Sequence, residues 1–127
     1  MQNKILEITT KSVQEKWAFP KTFKELKNTG LTTYVIEVPT FKMTYNWNGG
    51  SFVKNNPMTF NVTGQFTPEK IKQAIDVHNR DKTTFLDFMN DIATKGCTHY
   101  VVEFDNNQVV YYNADESLKH VEKVPGF

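Results

Sequence analysis

The residues able to do chemistry near neutral pH are few: three histidines, His78, His99 and His120, and one cysteine, Cys97. A histidine becomes a general base or a metal ligand when a carboxylate, a second histidine or a nucleophile is set at motif spacing, and none of the three has such a partner. His78 shares the apolar stripe of a predicted helix, which suits a boundary histidine as well as a base. His99 falls on a strand and His120 in the C-terminal tail. Cys97 has no second cysteine to pair with and no Cys/His neighbours that would hold zinc, so it reads as a small buried residue in a reducing compartment. The aromatic run Phe41, Tyr45, Trp47 and Phe52 offers either a stacking platform or the core face of a sheet. Glu37 and Glu103 are a candidate carboxylate pair, with exposed strand positions as the simpler account. Asn48-Gly49-Gly50 lacks the lysine and following helix of a phosphate loop and is read as a hairpin turn.

These residues sit on elements that the pattern of the chain predicts. A first helix is expected over Thr10–Trp17, with Val13 and Trp17 on one face. A second opens at Pro20, carries Phe23 and Leu26, and stops at Asn28 before Gly30. Thr32–Val38 and Phe41–Trp47 alternate as strands, Ser51–Lys54 pairs back across the Gly49-Gly50 turn, and Met58, Phe60 and Val62 predict a further strand. Thr67 as N-cap with Pro68 after it starts a third helix, whose inward stripe is Ile71, Ala74, Ile75 and His78. Thr84-x-x-Asp87 caps a fourth, with Phe85, Phe88, Met89 and Ile92 at helical spacing and Gly96 after it. Thr98–Phe104 and Val109–Tyr112 form a closing hairpin. The tail from Ala114 carries Leu118 and Val121 but ends in Pro125-Gly126-Phe127 and is expected to fray.

One repeat stands out. Gly30-Leu31-Thr32-Thr33-Tyr34-Val35-Ile36-Glu37-Val38 aligns with Gly96-Cys97-Thr98-His99-Tyr100-Val101-Val102-Glu103-Phe104, an offset of 66 residues. The same offset matches Phe19 to Phe85, Phe23 to Met89, Leu26 to Ile92, Met43 to Val109 and Tyr45 to Tyr111. This predicts a single domain of class α+β, with an antiparallel sheet, helices packed on one face and an internal duplication. The halves run over about 10–64 and 65–113, with a tail at 114–127 and extra strands after Ser51 in the first half alone.

Length and composition limit what such a domain does. At 127 residues the chain buries a core without disulfides, metal or partner. Fifteen basic against fourteen acidic residues leave a net charge of +1, which disfavours an electrostatic nucleic-acid binder. Lys21, Lys24 and Lys27 give one basic helix face that reads as solvated surface. No apolar run is long enough for a membrane span or a secretion signal, which predicts a cytoplasmic protein.

The motifs taken in order, Phe19-Pro20 with Glu25-Leu26-Lys27, Gly30, Tyr34, the Tyr45-to-Gly49 hairpin, Thr84-Phe85 with Phe88, Asp91, Gly96, Tyr100-Val101-Val102 and Tyr111-Tyr112-Asn113, resemble those of the DUF1398 family. This is a group of small bacterial and prophage-associated proteins. The resemblance runs from about Thr10 to Pro125. Family members often carry the label phage envelope protein, which names no activity. The resemblance implies a compact α+β domain and no catalytic residue. Met89 and Val110 stand where many members have cysteine, so thiol or metal chemistry through those positions does not carry over to this chain.

The resulting expectation is a non-catalytic binding or protein-interaction module with no cofactor and no metal, and with neither nucleic acid nor membrane as partner. A homodimer through an exposed edge strand is left open. The alternative is a small-molecule-binding protein or enzyme with its site between the halves, where Tyr45, Trp47 and His78 are the residues to test.

Overall fold

The computed structural model describes residues 1–127. Four helices and six strands follow one another as α1 (Gln2–Gln14), α2 (Phe19–Asn28), β1 (Leu31–Glu37), β2 (Lys42–Trp47), β3 (Gly50–Lys54), α3 (Pro68–Asp81), α4 (Phe85–Thr94), β4 (His99–Glu103), β5 (Gln108–Tyr112) and β6 (Lys119–Lys123). The strands form one sheet in the order β3-β2-β1-β4-β5-β6, antiparallel at every step. Tyr34, Ile36, Tyr45, Tyr100, Val102 and Tyr111 share one face of that sheet and are buried with the apolar stripes of the helices in a single core. The predicted class, α+β with helices on one face of an antiparallel sheet, describes this architecture.

Capping explains the helix starts in the second half. Thr67 accepts from the Lys70 amide and Pro68 occupies the first turn of α3. Thr84 and Asp87 exchange side-chain-to-backbone bonds at the head of α4, a complete capping box. The helix α1 has no such cap and differs from expectation. It begins at Gln2, ends at Gln14, buries Ile5 and packs the partly buried Ile8 one turn on against the core, while Val13 is 77% exposed. Lys16 in the left-handed region stops the chain before Trp17 can join the helix.

Two further expectations are corrected. Met58, Phe60 and Val62 do not form a strand. The Phe60 amide donates to the Pro39 carbonyl at 3.2 Å and the Thr63 amide to the Ala93 carbonyl at 2.9 Å, so the segment is tied to a turn and a helix end rather than to a strand. Phe60 is buried against Phe41, which is the origin of the alternating pattern. The tail does not fray. Residues 119–123 pair with β5 along its whole length, Val124 is buried, and the Phe127 ring lies 5.0 Å from Phe23. The outer strand β3 therefore has a counterpart in the other half, β6.

The halves are arranged symmetrically. Each reads helix, helix, strand, strand, strand, and the sheet order is palindromic about the β1/β4 pair. At that pair Tyr34 lies opposite Val102 and Ile36 opposite Tyr100, with Val35 opposite Val101 between them. The offset of 66 residues exchanges these pairs and brings α2 onto α4 at both ends. It also matches Ile5 with Ile71 and Val38 with Phe104, all four fully buried. Both helix-to-strand junctions turn through a left-handed glycine, Gly30 at φ +98° and Gly96 at φ +84°. In the outer hairpins the offset becomes 68, since Phe52 faces Tyr45 as His120 faces Tyr111. The chain between these matched positions is two residues longer in the second half, where fewer of its residues are in the strands.

Candidate interaction surface

Tyr45 is 1% exposed at the middle of β2. Its ring stacks on Phe52 at 6.0 Å and lies 5.2 Å from Tyr34, its hydroxyl points to the Met43 sulfur at 3.9 Å, and burial holds the phenol well above its usual pKa. Trp47 ends the same strand, half-buried, with its indole over the backbone of Gly50, where a Cβ would come within 2.8 Å of Nε1. His78 lies in the last turn of α3. Its Nδ1 is 2.7 Å from the Thr83 hydroxyl, its ring is 4.9 Å from Phe88, and burial lowers its pKa from the ordinary 6.5. The fold thus brings Tyr45 and Trp47 onto one strand and sets His78 in the other half, where α3 touches α4 and β6. Strands β2 and β6 are four steps apart in the sheet, about 19 Å. None of the three residues lines either of two surface hollows of about 410 and 400 Å³.

The other candidates are placed just as plainly. Tyr34, Tyr45, Tyr100 and Tyr111 form a buried row beneath the helices, each with its hydroxyl pKa raised by burial. Cys97 is fully buried, and the cost of desolvating a thiolate pushes its thiol up to about 12. Glu37 lies opposite His99 and Glu103 opposite Thr33, so the two glutamates are held on opposite sides of the Val35–Val101 pair and do not meet.

Sequence reasoning sets His99 aside as a strand residue without a partner. Its Nδ1 is 2.8 Å from the Thr98 hydroxyl and its Nε2 is 2.9 Å from a Glu116 carboxylate oxygen, while its ring stacks on Tyr112 at 5.2 Å and 17°. Glu116 is contributed by the longer β5–β6 connection and has φ +60°. Val35 and Glu37 of the first half meet Thr98 and His99 of the second in the 400 Å³ hollow. In the first half the matching strand position is Thr33 and the matching turn is the short Asn48-Gly49, so this cluster exists on one side only.

The largest coherent feature is the face of the sheet that the helices leave bare. Directly opposed residues of an antiparallel sheet point to the same side. Following the register from edge to edge gives one row: Val53, Thr44, Val35, Val101, Val110, Val121. Five valines and a threonine cross all six strands without a charged residue. Val53 and Val121 at the ends are 42% and 39% exposed, Thr44, Val35 and Val101 are half-buried, and Val110 is buried at 3%. Polar rows flank it, Ser51-Asn46-Thr33-Glu103-Gln108-Lys123 on one side and Lys42-Glu37-His99-Tyr112-Lys119 on the other. An apolar strip with a polar rim is the composition of a protein interface.

The sequence model of a family described as "Protein of unknown function (DUF1398)" matches residues 7–123 of this chain. The chain is also similar to the uncharacterized protein YcgX of Escherichia coli strain K12, with 24% identity over 114 residues that span 88% of this chain and 85% of the relative. No helix is long and apolar enough to cross a membrane.

Proposed function

Because this chain belongs to the DUF1398 family, whose description assigns no activity, we propose a function from its own surfaces: a non-catalytic protein-interaction module that works through the bare face of its sheet. The observation carrying this reading is the unbroken row from Val53 to Val121. Helices already supply the core on the opposite face, and Val53 and Val121 in particular leave apolar surface in water. The chemistry agrees with binding. The thiol is buried, four of the five tyrosines are buried, and the three histidines stand on separate elements. A lone thiol suits a reducing cytoplasm, and the matching halves fit a duplicated helix-helix-strand-strand-strand unit.

A second reading, a small-molecule site where the halves meet, is favoured by one observation, the hollow beside His99. A ligand there would shift the His99 ring resonances and leave those of His78 and His120 unmoved.

The test of the first reading is a photo-crosslinking side chain at Val53 in living source cells, with the 77% exposed Val13 on α1 as control. A discrete adduct from Val53, lost when Val101→Lys is added, is the expected result. No adduct from Val53, or equal adducts from Val13, would overturn it.

A further inference from the structure

Resting on the reading of the bare face as an interaction surface, we propose that its partner is a second copy of this chain. The two sheets pack face to face about a twofold axis parallel to the strands and passing between β1 and β4.

The row is its own complement. A half turn about that axis lays Val53 over Val121 of the other copy and Val35 over Val101, and sets Thr44 above Val110, which is itself only 3% exposed. In the flanking rows Glu37 comes over His99, which already holds Glu116 at 2.9 Å, and Thr33 comes over Glu103, so within the rows no two like charges lie directly over each other. Because the molecule is pseudo-symmetric, a half turn about the row itself would also superpose the valines. That arrangement sets Lys119 over Lys123, two lysines on the same edge strand.

The charge of the halves selects between the two. Residues 1–66 hold eight lysines and four glutamates, a net +4, whereas residues 67–127 hold seven basic and ten acidic residues, a net −3. The axis along the strands sets the basic half of each copy over the acidic half of the other. The axis along the row sets like over like, and opposed charge orients association even where it adds little affinity.

The available area fixes the strength. Six strands at about 4.8 Å and five residues at about 3.3 Å each give roughly 500 Å² per copy, about 1,000 Å² for the pair. This lies at the lower limit of specific interfaces and belongs to a weak, reversible dimer.

The experiment combines sedimentation equilibrium with directed crosslinking of the full chain. The expected results are a monomer–dimer equilibrium in the micromolar range that weakens as salt is raised, and at least a tenfold rise in dissociation constant for Val101→Lys. A bismaleimide spanning about 10 Å, the spacing of packed sheets, should join Val53→Cys to Val121→Cys when the two single variants are mixed, and should not join Val53→Cys to itself. Cys97 is buried and does not compete. A dimer that Val101→Lys leaves intact, or self-linking of Val53→Cys, would overturn the proposed arrangement. A chain that stays monomeric up to about millimolar concentration would remove the second copy as partner. If Val53 then still crosslinks to another polypeptide in cells, the bare-face reading survives that loss, and if it crosslinks to nothing both are lost.

Discussion

Val35 and Val101 lie directly opposite each other at the centre of the sheet, and they are the one cross-strand pair that the 66-residue offset maps onto itself. Every other contact between the halves at β1/β4 is counted twice, Tyr34 with Val102 and again Tyr100 with Ile36. A core built this way places equal demands on both halves.

Ile5 and Ile71 test that equality. They are matched by the offset, lie on α1 and α3, and are both fully buried. Ile5→Ala and Ile71→Ala should each lower unfolding free energy by about 2–5 kcal/mol in urea titrations. Since the two residues sit in separate halves, the double variant should lose close to the sum.

Two glycines with similar φ separate backbone strain from crowding. At Gly49 an added Cβ meets nothing within 4 Å, and at Gly96 it would come within 2.6 Å of the Phe66 amide nitrogen. Gly49→Ala should cost about 1–2 kcal/mol for the left-handed conformation alone. Gly96→Ala should cost distinctly more, because α4 and the segment before α3 must be forced apart. Thermal unfolding of the two variants measures the difference.

The pH dependence follows from His78, whose pKa burial lowers from the ordinary 6.5. The unfolded chain takes up the proton first, so stability is fully present above about 6.5 and falls as pH drops from there toward the folded pKa. Denaturant midpoints measured from pH 8 to pH 5 should decline on the acid side, and His78→Gln, which keeps a partner for Thr83, should flatten that part of the profile.

Much of this fold is legible in the sequence where local chemistry decides the outcome. Thr67-Pro68 and Thr84-x-x-Asp87 name their own helix starts, and Gly30 and Gly96 mark where two helices give way to strands. The errors lie where tertiary contacts decide. The start of α1 carries no cap, and its only signal is Ile5 and Ile8. In β6 the inward positions are His120 and Glu122, polar residues that hide an edge strand from an apolar-alternation reading. The candidate surface was illegible for a related reason. Each valine of the row is an ordinary strand residue, and only the register of five strand pairs brings them into line. Tyr45 and Trp47 were legible as apolar, and burial against the helices is what that meant.

The pairing of β1 with β4 has a consequence for the chain as it is made. The central strands are separated by 66 residues of sequence, which at about 5–20 residues per second take several seconds to synthesise. Throughout that interval a completed first half carries β1 as an open edge, with a row of unpaired amides and carbonyls. On the ribosome, then, the protein's most exposed moment comes at half length. A pause in translation between the two halves would prolong it, and a chain released at that point would carry into the cell an edge already shaped to accept a strand of its own kind.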